Sequence, residues 1–155
     1  MYPIEILYIK VLNNFCNINS LFIFEVLYEI KSTLETDFHI NAIYITSPLE
    51  KKNDQELELF TLPAKKTGKF KVILKIQPPN YNNFKLEELM EVTVILLTVS
   101  YQETELIRIG YYLNNEIIIG NETDQEFSLN KENIMRKILS DKPRITYFPF
   151  FQKEI

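Results

Sequence analysis

The sequence predicts an all-β sandwich with short helices in its connections. Segments rich in Val, Ile, Leu, Tyr and Phe recur along the chain at the spacing of the strands in such sandwiches. Turn-forming Asn and Pro residues separate these segments. A length of 155 residues fits one domain, and no linker or repeat divides the chain. We therefore expect residues 1–155 to form a single domain.

Eight segments have the composition and the alternation of β-strands. They are Ile4–Leu12, Leu21–Lys31, His39–Thr46, Leu57–Leu62, Lys69–Ile76, Val92–Tyr101, Leu106–Leu113 and Arg144–Phe148. The turn-rich pieces between them are Asn13-Asn14, Pro48–Asp54, Pro78–Asn83 and Asn114-Asn115.

Two segments favour helix instead of strand. The first is a short turn over Lys85–Leu89. The second is Lys131–Leu139, which follows the good N-cap residue Asn130 and has Glu132 in its first turn, where a carboxylate is favourable. Its apolar residues form one stripe at helical spacing, namely Ile134, Met135, Ile138 and Leu139. We expect this helix to pack on the sandwich.

The most informative segment is a predicted hairpin over Val92–Asn115, whose first strand is apolar on both faces. One face carries Val92, Val94 and Leu96, and the other carries Thr93, Ile95, Leu97 and Val99. A strand of an antiparallel sandwich needs only one apolar face, because the other normally meets water. The additional apolar face is therefore either covered by the rest of the chain or offered to a partner.

The second strand of this hairpin places Arg108, Gly110 and Tyr112 at one parity. A charge, a gap and an aromatic ring together suit a binding surface better than a core. For Val94 and Tyr112 to share a face, the numbers of paired residues must sum to an even value. This requires either a turn of odd length or a bulge near Glu103–Glu105.

The predicted strand Arg144–Phe148 lies between Pro143 and Pro149, and proline confines it to the edge of a sheet. Two interpretations of this edge stay open. The prolines either protect it against aggregation, or the strand is a template to which another peptide adds.

Composition limits the classes of function. A formal net charge of −4 and a pI near 5.2 argue against a protein that binds the DNA backbone, and they permit a basic protein as partner. The single cysteine, Cys16, cannot form an internal disulfide and suits a reducing compartment. The sequence has no visible signal peptide or membrane-spanning segment.

The residues that catalysis and metal binding need are rare. One histidine, His39, and one cysteine cannot supply a Ser-His-Asp set or a zinc quartet. The three glycines do not form a phosphate-binding loop. The carboxylate pairs Glu87-Glu88 and Glu103/Glu105 lie on a short polar helix and in a hairpin turn, where both are solvated. We expect neither an enzyme nor a cofactor or metal site.

Three motifs resemble the anti-silencing-function histone chaperones. They are V-T-V-x-L-L-T-x-S-Y at Val92–Tyr101, I-R-I-G-Y-Y-L-N-N at Ile107–Asn115 and D-K-P-R-I-T-x-F-P at Asp141–Pro149. The resemblance covers essentially the whole chain. It implies an immunoglobulin-like β-sandwich that binds a heterodimer of histone three and histone four, blocks its tetramerisation surface and passes it to the machinery of nucleosome assembly or disassembly. It further implies a nuclear location.

The resemblance assigns three sites, each implied by a family motif. The histone-three site comprises Ile45, Asp54, Glu88, Val92, Val94, Leu96, Arg108, Tyr111 and Tyr112. The site for the histone-four tail comprises Pro143, Arg144, Ile145, Thr146 and Phe148. A third site, which the family places opposite the histone-three site and uses for basic peptides of histone-deposition factors, comprises Glu35, Asp37, Phe38, His39, Glu58 and Leu62.

The chain departs from the family pattern at several positions. His39 stands where the family usually has an acid, Ile40 stands where it has tryptophan, and lysines dominate the loop before Asp54. The alternative function is therefore an immunoglobulin-like adapter with non-histone cargo. In either case we expect a monomer when free, with no direct contact to nucleic acid or membrane.

Overall fold

Two antiparallel β-sheets pack face to face over one hydrophobic core. The computed structural model describes residues 2–46, 54–118 and 133–149. Within these ranges the strands are β1 (Ile4–Val11), β2 (Phe15–Asn17), β3 (Phe22–Ile30), β4 (Phe38–Ile45), β5 (Gln55–Leu62), β6 (Gly68–Ile76), β7 (Thr93–Tyr101), β8 (Thr104–Ile117), β9 (Ile134–Ile138) and β10 (Arg144–Tyr147). A 3-10 turn at Tyr81–Asn83 and the helix α1 (Leu86–Met90) precede β7.

The smaller sheet has the order β1-β3-β6, and the larger sheet has the order β2-β9-β8-β7-β4-β5. The long strand β8 pairs with β7 along one edge, while β10 and β9 share its other edge. The inward residues of both sheets alternate with outward ones, as the period of a strand requires. This β-sandwich confirms the predicted fold class, and all eight predicted strands are present. In the described part of the chain, no helix is long and apolar enough to span a membrane.

The helix predicted over Lys131–Leu139 is wrong, because Ile134–Ile138 is strand β9. Its proposed N-cap Asn130 and residues 131–132 lie outside the described residues. In β9 the buried residues are Ile134, Arg136 and Ile138, which alternate with period two. A charged residue at the central inward position hid this alternation from the sequence. The short helical turn predicted over Lys85–Leu89 is confirmed as α1.

The predicted turn at Asn114-Asn115 is also wrong, since β8 continues through both residues to Ile117. Asn115 is buried, and its side-chain amide donates to the carbonyl of Leu89 at 2.9 Å. This hydrogen bond satisfies a donor of the buried side-chain amide and connects α1 to the larger sheet. The predicted turn Pro48–Asp54 lies almost wholly outside the described residues.

The Arg136 side chain is fully buried and organises the connection between β2 and β3. Its guanidinium donates to the carbonyls of Ser20 at 2.9 Å and Leu21 at 3.0 Å and contacts the sulfur of Cys16 at 3.2 Å. It also lies over the ring of Phe22, 3.7 Å from the ring centroid. These contacts compensate the guanidinium for lost water and hold the connection against the sandwich.

A bulge in the β7–β8 hairpin gives the even sum of paired residue numbers that lets Val94 and Tyr112 share a face. Val99 pairs with Ile107 and Ser100 pairs with Glu105, so Leu106 is the additional residue on β8. The turn itself has two residues, Gln102 and Glu103, both with positive φ, as a type I′ turn requires. From Thr93 to Val99 the paired numbers therefore sum to an even value, and the prediction is confirmed in its second form.

We expect Arg136→Ala to lower the free energy of unfolding by about 3 kcal/mol. The substitution leaves buried carbonyls without a hydrogen-bond donor and creates a cavity in the core. Urea unfolding followed by circular dichroism measures this. Lys137→Ala on the exposed face of the same strand is the matched control and should change the midpoint little. Equal midpoints for both variants would contradict the structural role of Arg136.

Candidate binding face of the larger sheet

The outer face of β7 and β8 is the additional apolar face that the sequence left without a covering. The register pairs Val94 with Tyr112, Leu96 with Gly110, and Thr98 with Arg108. All six residues point away from the core, because their neighbours Ile95, Leu97, Ile109 and Tyr111 are buried. The predicted sharing of one face by Val94 and Tyr112 is therefore observed.

Gly110 forms the low floor of this face. A Cβ atom at this position would lie 3.6 Å from a methyl of Leu96 and 3.7 Å from a methyl of Val94. These are ordinary van der Waals distances, so alanine fits without strain, while a longer side chain would occupy the space in front of both residues. The glycine keeps that space open for a partner.

A cleft of about 630 Å³ lies over this floor, and we call it the Val94 cleft. Its lining comprises Ile45, Thr46, Asp54, Val92, Val94, Leu96, Arg108, Gly110, Tyr112, Arg144 and Thr146. Seven of the nine residues predicted for the histone-three site are in this lining, and Glu88 and Tyr111 are not. Sequence reasoning left out Gly110 although it had noted the position, and it missed Thr46, for which the pattern offered no signal.

Tyr111 lies on the core face of β8, on the opposite side of the sheet from Tyr112. It is 2% exposed, and its ring centroid is 5.5 Å from that of Phe24 on the smaller sheet. Burial raises the pKa of the Tyr111 hydroxyl to about 12. The structure therefore does not bring Tyr111 to the cleft, because adjacent residues of a strand face opposite ways.

Glu88 lies on α1, which packs near the end of β8 away from the hairpin turn. The residue is half-buried, and its Oε2 atom has no hydrogen-bond partner among the described residues. The structure places this carboxylate outside the lining of the Val94 cleft.

Arg108 is held in place at one end of the Val94 cleft. Its guanidinium donates to both carboxylate oxygens of Glu105, at 2.8 and 3.0 Å, and lies 5.4 Å from the ring centroid of Phe148. The hydrogen bond to Glu105 raises the pKa of Arg108. This bidentate geometry orients a charge that is otherwise exposed.

Strand β10 continues the cleft toward the C-terminus. Arg144 and Thr146 line the cleft, while Ile145 and Tyr147 point to the other side of the strand. All four residues are exposed, and within the described ranges β10 pairs with β8 alone.

Pro143 and Phe148 flank β10 and are half-buried. The backbone of Phe148 is fixed by hydrogen bonds to Leu106 and from the Tyr2 hydroxyl. No described strand pairs with the outer edge of β10, and such an edge can accept a further strand.

A second cleft, of about 540 Å³, lies at the other end of the same outer face, beside the β7–β8 turn. We call it the His39 cleft. Its lining comprises Thr36, Asp37, His39, Asn41, Leu59, Thr61, Thr98, Ser100, Gln102 and Glu103. His39 Nδ1 is 3.1 Å from the hydroxyl of Thr61, and Asp37 accepts a hydrogen bond from the backbone of Ala64 at 3.3 Å.

The structure does not gather the six residues predicted for the deposition-factor site. Asp37 and His39 line the His39 cleft, on the same face as the Val94 cleft rather than opposite it. Phe38 and Leu62 are buried in the core, and the ring of Phe38 packs edge-on against Tyr28. Glu35 is exposed and Glu58 is half-buried, and both lie outside this lining. Alternation along β4 separates Phe38 from His39.

Comparison with known proteins assigns the family. A family model described as ASF1 like histone chaperone matches residues 1–151. This chain belongs to that family. It is 35% identical to the probable histone chaperone ASF1A of Arabidopsis thaliana over 152 residues, which cover 96% of this chain and 76% of the relative. The histone chaperone asf1 of Dictyostelium discoideum is 32% identical over 155 residues, with 96% and 97% covered.

A third relative, the histone chaperone asf1 of Emericella nidulans, is 36% identical over 149 residues. The match covers 96% of this chain and 53% of that relative, so this chain spans about half the length of the fungal protein. The resemblance to the anti-silencing-function histone chaperones is thereby confirmed. Histone chaperones are not enzymes, and the family therefore agrees with the expectation that this protein is not an enzyme.

The buried position of Tyr111 predicts a specific response to alkaline pH. Its pKa is about 12 in the folded protein and about 10 in the unfolded chain, so its contribution to stability is complete below pH 10 and is lost as the pH rises through 12. Tyr111→Phe should flatten the fall in the free energy of unfolding between these values.

Urea unfolding at several pH values between 9 and 12 measures this slope. Burial also raises the pKa of Tyr28, Tyr44 and Tyr81, so part of the slope remains in the variant. Ile109→Val, on the same core face, should lower stability at every pH without changing the slope. An unchanged slope in Tyr111→Phe would contradict the assignment of this hydroxyl to the core.

Proposed function

We propose that this protein binds one heterodimer of histone three and histone four and covers the surface through which two heterodimers pair into a tetramer. The chain belongs to a histone chaperone family, and the register of its β7–β8 hairpin supports this proposal. This register pairs Val94 with Tyr112, Leu96 with Gly110, and Thr98 with Arg108. The register collects an apolar centre, an open floor and an oriented charge on one exposed face.

The proposed mechanism is the burial of an interface that the histones would otherwise use between themselves. Val94 and Leu96 offer an apolar centre, and Gly110 allows a helix to approach the sheet closely. Arg108 and Asp54 lie at the rim and should mainly set the encounter rate and its salt dependence. A stable complex of this kind buries roughly 800 Å² on each partner, which extends beyond the cleft to neighbouring surface.

The C-terminal strand contributes a second contact in this proposal. The histone-four tail adds to the open edge of β10 as a further strand, so that main-chain hydrogen bonds supply affinity and Ile145 and Thr146 supply side-chain contacts. Continuity supports this, because Arg144 and Thr146 belong both to β10 and to the Val94 cleft. One heterodimer can then occupy the cleft and the edge together.

The proposal extends to the location of the protein and to the transfer of the heterodimer. Residues 1–155 act as one histone-binding domain in the nucleus and pass the heterodimer to the machinery of nucleosome assembly or disassembly. Basic peptides of deposition factors bind near Asp37 and His39, where two acids, Asp37 and Glu103, line one cleft.

The central test is titration calorimetry with a recombinant histone three/four complex at physiological salt. We expect the wild type to bind one heterodimer per chain, and Val94→Arg to weaken binding by at least about 100-fold, because a charge would be buried unpaired in an apolar contact. The matched control is Ile73→Arg, which makes a comparable change at an exposed residue of the smaller sheet.

Three outcomes separate the alternatives. Absence of binding by the folded wild type would overturn the histone function and favour an adapter with non-histone cargo. Tight binding that survives Val94→Arg would keep the function and remove the Val94 cleft as its site. Equal losses in Val94→Arg and Ile73→Arg would show that the added charge acts without regard to position.

The edge strand has a separate test. Truncation of the histone-four tail should weaken binding to the wild type by about 10-fold, since an added strand contributes a few main-chain hydrogen bonds of about 0.5–1.5 kcal/mol each. The same titration with full-length and truncated histone four measures this. Ile145→Asp should reduce the difference between the two histones, while Ile23→Asp, on the smaller sheet, should leave it intact. Equal affinities of both histones for the wild type would exclude the edge of β10 as a contact.

A further inference from the structure

The outer face of the smaller sheet carries a concentration of lysines. Five of the 17 lysines and arginines of the chain fall within residues 65–75, namely Lys65, Lys66, Lys69, Lys71 and Lys75. The first two lie in the turn that leads into β6, and the other three lie on β6 itself. This concentration stands in contrast to the net charge of −4 of the whole protein.

The three lysines of β6 form one row. All three are exposed and share the outward side of β6 with Ile73, which lies between Lys71 and Lys75. The intervening residues Phe70 and Val72 are half-buried, and Leu74 is buried. Two residues along a strand span about 6.6 Å, so the row from Lys69 to Lys75 is about 20 Å long. Since β6 is an edge strand of the smaller sheet, the row is accessible from the face and from the edge.

The acids of this face do not neutralise the row. Glu5 pairs with Lys31 at 2.7 Å, and Glu25 accepts a hydrogen bond from the Tyr8 hydroxyl at 2.9 Å. Glu29 lies opposite Lys69 in the register, but its carboxylate makes no ion pair with that lysine in the described part of the chain. Among the described residues, no carboxylate lies within 4.0 Å of the ammonium groups of Lys69, Lys71 or Lys75. The three ammonium groups therefore have no ion-pair partner among the described residues, while Glu25 and Glu29 lie across from the row on β3.

The residue type and the shape of this face favour phosphate over an acidic protein. Lysine is depleted at the core of protein interfaces, where arginine and aromatic residues are enriched, whereas it contacts phosphate as a compact, mobile charge. The row contains no arginine. The two described clefts lie on the larger sheet, whereas the lysines follow β6, an edge strand of the smaller sheet. A linear array of phosphates matches an exposed row of point charges.

We propose that the lysine row of β6 binds the phosphodiester backbone of nucleic acid, while the opposite sheet binds the protein partner. The net charge of −4 argued against contact with nucleic acid. Charges interact over only about 10 Å at 0.1 M salt, however, so the local distribution of charge decides such contacts. The two faces belong to different sheets, so this surface is independent of the Val94 cleft and of the proposed histone function.

The test is fluorescence anisotropy of a labelled 20-base-pair DNA duplex, titrated with this protein between 25 and 150 mM salt. Three phosphate contacts give a slope of about −2.7 for the logarithm of the association constant against the logarithm of the salt concentration. We expect a triple variant, Lys69→Gln/Lys71→Gln/Lys75→Gln, to bind at least 10-fold more weakly at 25 mM salt and to lose most of this slope.

The matched control is Lys85→Gln/Lys137→Gln/Lys142→Gln, which removes the same charge from exposed lysines outside the smaller sheet. Its affinity should stay within 2-fold of the wild type, and circular dichroism checks that both variants are folded. Absence of DNA binding by the wild type at 25 mM salt, or equal losses in both variants, would overturn the proposal. If polyglutamate of equal charge displaces the duplex at equal concentration, the proposal of a nucleic-acid partner would be wrong. The partner of this face would then be an acidic protein.

Discussion

The single additional residue on β8, Leu106, is the constraint on which the binding face depends. The bulge makes the paired numbers of β7 and β8 sum to an even value, and this brings Tyr112, Gly110 and Arg108 opposite Val94, Leu96 and Thr98. Without the bulge every side chain of β8 beyond it would turn to the other side of the sheet. Leu106 is itself buried, so the core retains the residue that breaks the alternation.

The remainder of the fold supports this hairpin from two directions. The smaller sheet covers the inner face of β7 and β8, where Phe24 meets Tyr111, and no described strand lies over the outer face. Along its free edge β8 is shared by β9 and β10, which gives the hairpin a continuous neighbour and brings the C-terminal strand to the cleft. Arg136 connects β9 to the start of β3 by hydrogen bonds to backbone carbonyls. A buried charge thus joins the outer strands to the opposite sheet.

The two sheets present different chemistry to their surroundings. The larger sheet exposes an apolar centre with a single oriented arginine, Arg108, and acids beside the His39 cleft. The smaller sheet exposes a row of lysines on an edge strand. Since the two faces lie on opposite sides of the sandwich, the two proposed partners would not compete for the same surface. The net charge, which is a sum over both faces, conceals this division.

The sequence by itself determined the β-sandwich and the two apolar faces of β7, because these follow from alternation along a strand. The family resemblance placed Val94, Arg108 and Tyr112 together, and an even register was the condition for Val94 and Tyr112 to share a face. Only the tertiary structure decided that Leu106 forms the bulge, that Tyr111 and Phe38 face the core, and that β9 is a strand. The physical reason is burial, since the inward positions of Arg136 and Asn115 depend on carbonyls that lie far away in the sequence. The local sequence pattern does not show which hydrogen-bond partners distant segments of the chain supply.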